Sequence, residues 1–356
     1  MASLRPTTLG SFWVTNKLKT RYLNLLNCKF DATKERRMNM SVTVGVFAHN
    51  HEKYVTECLE SMAKSGLHVE RLVITDDASL DDTVKLIEAF LLKESSNNWI
   101  VERAYSSRNL GFARQLNMFL NRVETEWFII LSADDYFPVG AVEALVERAI
   151  EFPTADIVFG RLQSVDLNSK NLTEPRRNMR LTEFASHRYS TPTRPFRDLL
   201  RLGNFIPGGG TLIRTRPVSG QLPEYDPDLT NAEDYDWNLA LGATAKCVFL
   251  NRRVLNYRIL STSKSRRTGI DQTRSLLKIV KKHLVSCSDT ELGLAQEAAV
   301  RFWLRPILRR EWGKVCYWSE LISLPTMTTT SSIRRILSVA ISEFRISIDR
   351  VTDKST

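Results

Sequence analysis

The chain has 356 residues, of which 43% are hydrophobic and 25% charged, with a formal net charge of +10. This is enough for one large globular domain with an appendage, and it excludes a fibrous or low-complexity chain. The basic surplus suits a nucleic acid, an anionic membrane surface or a phosphorylated substrate, and does not choose among them. No apolar run approaches the ~18–20 residues that span a bilayer. The N-terminal stretch, beginning "MASLRPTTLG", has no continuous apolar core and no small-residue cleavage site, so no secretory signal is expected. Cys28, Cys58, Cys247, Cys287 and Cys316 are scattered, odd in number and free of any C-x-x-C pair. Neither a zinc site nor a disulfide framework is expected, and a cytoplasmic setting fits best.

Residues 1–40 read as a basic leader with a short helix at 14–27. A regular rhythm follows. "SVTVGVFA" (41–48) predicts a strand, and "KYVTECLESMAKSG" (53–66) a helix stopped by Gly66 as C-cap. "ERLVITDD" (70–77) is a second strand. Ser79 is placed to cap the next helix, whose positive end Asp81 and Asp82 would complement. "WIVERAY" (99–105) is a third strand, "GFARQLNMFLNRV" (111–123) a helix, and "EWFIIL" (126–131) a fourth strand. Pro138 opens a helix over "VGAVEALVERAIEF", and "ADIVFGRLQSVD" (155–166) is a fifth strand. The polar stretch "DLNSKNLTEPRRNMR" predicts an exposed hairpin or loop. "IPGGGTLIRT" (206–215) sets three glycines before a short strand, and "NAEDYDWNLALGA" (231–243) is a helix opening with acids. "KCVFLN" and "RVLNYRIL" predict two further strands. From about 271 the chain reads as helical, with a Ser288…Glu291 capping box and a long helix disturbed by Pro306.

Strands alternating with helices predict an α/β fold: a mostly parallel sheet with helices on both faces and a helical C-terminal extension. In such sheets ligands bind beyond the carboxyl ends of the strands. His49 and Asn50 follow the first strand, Asp76 and Asp77 end the second, and Asp134 and Asp135 end the fourth. Each acidic pair alone is explained by turn preference; their shared rim is not.

In this order the motifs resemble those of the family 2 glycosyltransferases. "VTVGVFAHNHEKYVTECLESM" is similar to the family's opening strand, turn and first helix, "VITDDASLDDT" to its Asp-Asp turn, and "RNLGFARQLN" to its Asn-x-Gly…Arg segment. "LSADDYFP" resembles its metal-binding acidic motif, "AEDYDWNLAL" its Glu-Asp acceptor-side motif, and "LNYRILSTSKS" the strand and loop that follow. The resemblance covers roughly residues 41–265. It implies a nucleotide-binding half over 41–140, an acceptor-binding half over 141–265, and an extension over 266–356 outside the family pattern. It also implies an inverting transferase that takes a nucleotide-sugar donor, UDP-linked, together with Mn²⁺ or Mg²⁺.

A hard cation would offset the charge of a leaving diphosphate and binds carboxylates. The resemblance gives it mainly to Asp135, with Asp134 nearer the ribose or a metal-bound water. Ser132 stands where the family often carries another Asp. Asp77 is implied as the acid that accepts the uracil N3–H, with Asp76 beside it. His49 stacks on the base or simply packs, Phe47 forms wall or core, and Arg114 points at the nucleotide. Asp234 is implied as the general base on the acceptor hydroxyl. Glu233, Gly209, Gly210 and Arg258 lie on the acceptor side, where Arg258 and Lys264 could also meet the diphosphate. Leu260 replaces a His that many relatives carry. The expected acceptor is a saccharide or a lipid-linked glycan of a surface polysaccharide.

Three rivals stand beside this reading. A nucleotidyltransferase would need glycines after the first strand that "FAHNHEKY" lacks. A catalytically inactive protein would bind the sugar nucleotide without turning it over. A basic nucleic-acid-binding module would need neither Asp134 nor Asp135, and no nucleic acid is expected. In the tail, Ile333, Leu337, Ala340, Ile341, Phe344, Ile348 and Val351 share a helical face. That face packs on the core or a second copy in a homodimer, or lies peripherally on anionic membrane.

Overall fold

The computed structural model describes residues 40–65, 68–94, 98–218, 220–229 and 231–260, with positions 275, 276, 278, 279, 282 and 283. The basic leader, Gly66, Lys264, the Ser288–Glu291 box and the apolar tail face lie outside the described residues. The chain divides into two compact units, Met1–Met40 and Ser41–Thr356, and every described strand and helix belongs to the second.

Seven strands form one sheet: β1 (Val42–Ala48), β2 (Val69–Asp76), β3 (Ile100–Tyr105), β4 (Trp127–Ser132), β5 (Ile157–Val165), β6 (Leu212–Arg214) and β7 (Cys247–Arg258). Their order is β3-β2-β1-β4-β6-β5-β7. All neighbours pair in parallel except around β6, which runs antiparallel to both β4 and β5. The helices are α1 (Val55–Ala63), α2 (Thr83–Lys93), α3 (Phe112–Leu120), α4 (Ala141–Glu151), α5 (Arg176–Arg188), α6 (Phe196–Leu202) and α7 (Glu233–Gly242). The α/β class follows from composition along the chain. β1 is buried at every position, and β4 at all but its last, because helices cover both faces of the central sheet. β3, at the edge, is only partly covered and carries Arg103 paired to Glu88 of α2.

Several local expectations change. The polar stretch after β5 begins as a turn at 166–170, but from Arg176 it becomes the thirteen-residue helix α5, which buries only Ala185 fully. Its polar surface hid it from a periodicity reading. The two strands expected at "KCVFLN" and "RVLNYRIL" are one strand, β7. Its exposed Asn251, Arg252 and Arg253 sit where the register with β5 shifts. Polar bulge residues imitate a turn in sequence while the ladder continues past them. α4 starts at Ala141 rather than at Pro138, and α1 ends with Lys64 at its C-cap. Ser79 does not cap α2, whose N-cap is Asp82; its hydroxyl donates to Asp76 Oδ2 at 2.5 Å instead.

The core joins both halves of the sheet through aromatic rings. Phe119 of α3 makes edge contacts with Phe47 at 5.5 Å and Phe128 at 5.8 Å. It lies so close to β1 that a Cβ on Gly45 would sit 2.6 Å from its ring. Gly45→Ala should therefore lose about 1–3 kcal/mol, the usual cost of overpacking a filled core, read as a lower denaturant midpoint at unchanged slope. On the other side, Trp237 of α7 stacks on Tyr225 at 5.0 Å and donates its indole N–H to the Pro223 carbonyl. Eight of the ten α7 residues are buried, so this helix runs through the interior rather than over the surface.

Candidate active site

The carboxyl ends of β1, β2 and β4 form one rim, because the three strands are adjacent and parallel. Asn50, in a left-handed conformation at φ 56°, ties two of its loops. Its backbone N–H donates to Ser79 Oγ, and its side-chain oxygen accepts from the Leu80 N–H, each at 2.8 Å. Asn is among the few side chains that adopt this conformation readily. Asp76 accepts from the Ser79 N–H and hydroxyl. Asp77 accepts from the N–H groups of Leu110 (2.7 Å) and Gly111 (2.9 Å) and from the Gln115 amide (2.9 Å). Its Oδ1 thus takes two donors and its Oδ2 one, which leaves Oδ2 an acceptor position. The "RNLG" segment is fastened to β2 by a carboxylate held ready to accept one more donor.

His49 Nε2 lies 3.2 Å from the side-chain amides of both Asn50 and Asn109, bringing the Asn-x-Gly segment to the first turn. Phe47 belongs to the core: it is 4% exposed and edge-on to Phe112 at 5.4 Å. Arg114 is exposed in the first turn of α3, and its guanidinium reaches back to the Leu110 carbonyl at 3.3 Å. His51 was not singled out from sequence. Burial holds its imidazole below the ordinary range, although Asp134, Asp81 and Asp76 pull the other way. Its Nδ1 is buried without a partner among the described residues.

The acidic pair closes the rim. Asp134 Oδ1 accepts from Ser132 at 2.5 Å, so the residue replacing a third acid orients the first of the pair. Asp135 is 4% exposed, and its Oδ1 accepts the Arg258 backbone N–H at 2.8 Å. Burial, and then the Asp134 charge, push its carboxyl well above the usual carboxylate range. A bare anion is costly here, and a cation would relieve both causes. Among the described residues no cluster of three or more His, Cys, Asp or Glu could hold a metal. The pair therefore fits a cation whose remaining ligands are diphosphate oxygens and water, a common arrangement for Mg²⁺.

Arg258 is 1% exposed, and its guanidinium is surrounded by acceptors: the Asp134 carbonyl, the Asp166 and Leu167 carbonyls, Ser169 Oγ and Glu57. It faces the acidic loop from below rather than standing free on the acceptor side.

A cavity of about 610 Å³ lies beneath α5 and is lined at once by Asp135, Gly208, Gly209, Asn204 and Asp234. Asp234 opens onto it yet is walled by protein elsewhere. Burial, and then neighbouring Glu233, raise its carboxyl to about 7, against the opposing Tyr235 N–H and Asn204 amide. Asn204 donates to Asp234 Oδ2 at 2.7 Å and is itself held by Asn238 at 3.0 Å. Gly208 makes room for the acid, since a Cβ there would stand 3.2 Å from Asp234 Cβ. Gly210 turns the chain at φ 69° against Leu255. Asp236 is occupied differently, bonded to Lys282 (2.7 Å) and His283 (2.8 Å). Asn204 and Asn238 carry no motif that a sequence reading would single out; only their contacts reveal them.

Residues 43–218 match the family profile described as glycosyl transferase family 2. Among curated relatives, glycosyltransferase GlyG of Streptococcus pneumoniae is 25% identical over 38% of this chain and 43% of its own. A teichoic acid poly(glycerol phosphate) polymerase of Staphylococcus epidermidis is 30% identical over 36% of this chain and 18% of its own. The poly(ribitol-phosphate) β-N-acetylglucosaminyltransferase TarS of Staphylococcus aureus is 31% identical over 27% and 17%. The chain thus spans less than half the length of these relatives. Among solved structures, S. aureus TarS superposes with a TM-score of 0.55 at 18% identity, covering 75% of this chain and 44% of that one. Its 1–349 fragment in complex with UDP-GlcNAc gives 0.51 at 16%, covering 84% and 79%. At such identities the likeness is one of fold. The family profile, the named relatives and the sheet with its rim of strand-end acids agree, and through residues 43–218 the chain belongs to glycosyl transferase family 2.

Proposed function

We propose that the chain transfers a sugar, with inversion, from a UDP-sugar to an acceptor hydroxyl. The carrying observation is the cavity lined by both Asp135 and Asp234. It lets a donor held at the strand-end rim and an acceptor held against α7 meet in one space. Asp77 accepts the base N3–H, and the His49–Asn109 contact shapes the same end. Asp134 and Asp135 would hold Mn²⁺ or Mg²⁺ jointly with the diphosphate, and the ion would supply charge stabilisation to the leaving group. Asp234 takes the acceptor proton as the hydroxyl oxygen bonds the anomeric carbon. The bond from that carbon to the diphosphate oxygen breaks on the opposite face. A base whose pKa lies near neutral is suited to this work. The names of the curated relatives support a polyol-phosphate wall polymer, or another surface glycan, as the acceptor class.

A panel of nucleotide-sugars incubated with Mn²⁺, with and without glycan acceptors, tests the reading through release of nucleoside diphosphate. Acceptor-stimulated release from a UDP-sugar is expected. Tight UDP binding with no release from any donor would instead make the protein a sugar-nucleotide binder.

The base assignment has its own test. Asp77→Ala should weaken uridine binding by about 1.5–3 kcal/mol, the usual worth of a hydrogen bond to a charged group. Cytidine, which lacks the N3–H, should bind the variant and the wild type alike. Equal losses for both would mean that Asp77 acts only by fastening Leu110 and Gly111.

A further inference from the structure

Arg258 lies at the end of β7, just past the register shifts that bend the strand. β7 meets the acidic loop there through reciprocal backbone bonds between Tyr136 and Asn256. A guanidinium has five N–H groups in a rigid fork, and here every direction is used. Nε donates to the Asp134 carbonyl at 2.8 Å. Nη1 donates to the carbonyls of Asp166 (3.0 Å) and Leu167 (3.2 Å) and to Ser169 Oγ (3.1 Å). Nη2 reaches Ser169 Oγ at 3.2 Å and Glu57 Oε2 at 2.5 Å. The Ser169 hydroxyl in turn donates to Glu57 at 2.9 Å. The rings of Tyr54 and Tyr136 flank the cation at 4.7 and 5.5 Å. One side chain thus joins α1, the 166–169 turn and the acidic loop, while its own backbone N–H holds Asp135.

We propose that Arg258 is the positioning residue of the acidic pair, and that Glu57 is the counter-charge that keeps its guanidinium off the two carboxylates. The purpose assigned to that positioning rests on the transferase reading above; the clamp itself does not. A buried guanidinium needs an anion. Without Glu57, the nearest anions are Asp134 and Asp135, and pairing with them would compete with a cation. With Glu57 in place, Arg258 spends its side-chain donors on main-chain carbonyls, Ser169 and Glu57, and the pair stays available. Ligand carboxylates commonly depend on such outer partners for orientation and affinity.

The test uses Arg258→Lys, which keeps the charge and loses the fork, and Glu57→Gln on the more exposed partner, should the first variant fail to fold. Two readouts are needed. The amides of Ala133, Asp135, Tyr136 and Phe137 are all hydrogen-bonded. Their hydrogen exchange should quicken by about tenfold or more while β1 and β2 stay protected. Titration calorimetry should show the gain in UDP affinity from Mn²⁺ reduced by about 10–100-fold, as for loss of an outer partner, with uridine affinity unchanged. Wild-type exchange in the loop overturns the clamp. So does an equal weakening of uridine and UDP, which marks general damage. If wild-type UDP binding proves indifferent to Mn²⁺, the metal-dependent reading fails, and the exchange data alone decide the clamp.

Discussion

Asp234→Asn lowers the turnover number by about 10²–10⁴-fold, the range that general-base catalysis contributes, and leaves donor affinity near wild type. Asparagine keeps the size of the side chain and can still accept from the Tyr235 N–H, which donates to Asp234 Oδ1 at 2.8 Å. What it cannot do is take a proton. The loss should fall on kcat rather than KM, because the interaction removed is made only as the hydroxyl attacks. The pH dependence adds a signature. The carboxyl must be ionised to act, and burial with Glu233 nearby places it at about 7. The wild-type rate should therefore rise as pH climbs through about 7, and the Asn variant should lose that limb. The measurement is transfer rate against pH on both proteins, with UDP-sugar affinity determined alongside. Near-wild-type turnover would remove Asp234 from the mechanism. Asp236 could not replace it without giving up Lys282 and His283, so Glu233 would be next in line.

Asp135→Ala abolishes the tightening of UDP by Mn²⁺ and lowers transfer by about 10²–10³-fold. Cation stabilisation of a leaving diphosphate is worth several kcal/mol, and roughly 1.4 kcal/mol is a factor of ten in rate. Asp135 faces the cavity with Oδ1 held by the Arg258 N–H and no hydrogen bond to Oδ2 among the described residues. Truncation should leave the loop anchored, since Tyr136 and Phe137 keep their bonds to Asn256 and Ser61. Uridine should bind the variant as it binds the wild type. Calorimetric titrations of UDP with and without Mn²⁺ read the first effect, and acceptor-dependent release of UDP reads the second. Retained metal-dependent tightening would move the cation to other residues.

The catalytic rim was legible because its signals are local. Strands ending in "TDD" and "SADD" are apolar runs that stop on acids, and adjacent parallel strands bring such ends together whatever the distance in sequence. The acceptor side was legible only in part. "NAEDYDW" shows acids at a helix start, but not that Asp234 borders the cavity while Asp236, two residues on, turns to His283. Depth decides that, and a helix buried nearly all round has no amphipathic stripe to display it. Arg258 misled for a related reason. A basic residue in a motif next to a diphosphate site reads as a ligand for phosphate, and its burial among main-chain carbonyls is set by bulges that sequence does not mark. Helix α5 was missed because its surface is polar and its packing slight.

The bonds from Asp236 to Lys282 and His283 bear on inheritance as well as on packing. Asp236 is 1% exposed, and Ile279 beside its partners is buried in the same core. The segment around 275–283 is therefore stitched to α7 by charge and by apolar contact, one turn from the proposed base. Enzymes that share a sugar-transfer domain can trade appendages when the seam is solvent-filled linker. Here the seam at the end of β7 is crossed by a buried ion pair, so recombination at that point would hand a foreign extension an anion it has no means to satisfy. Catalytic half and extension would have to be inherited together, and specificity would diversify in α5 and the turn before it, where the chain is exposed and lightly packed.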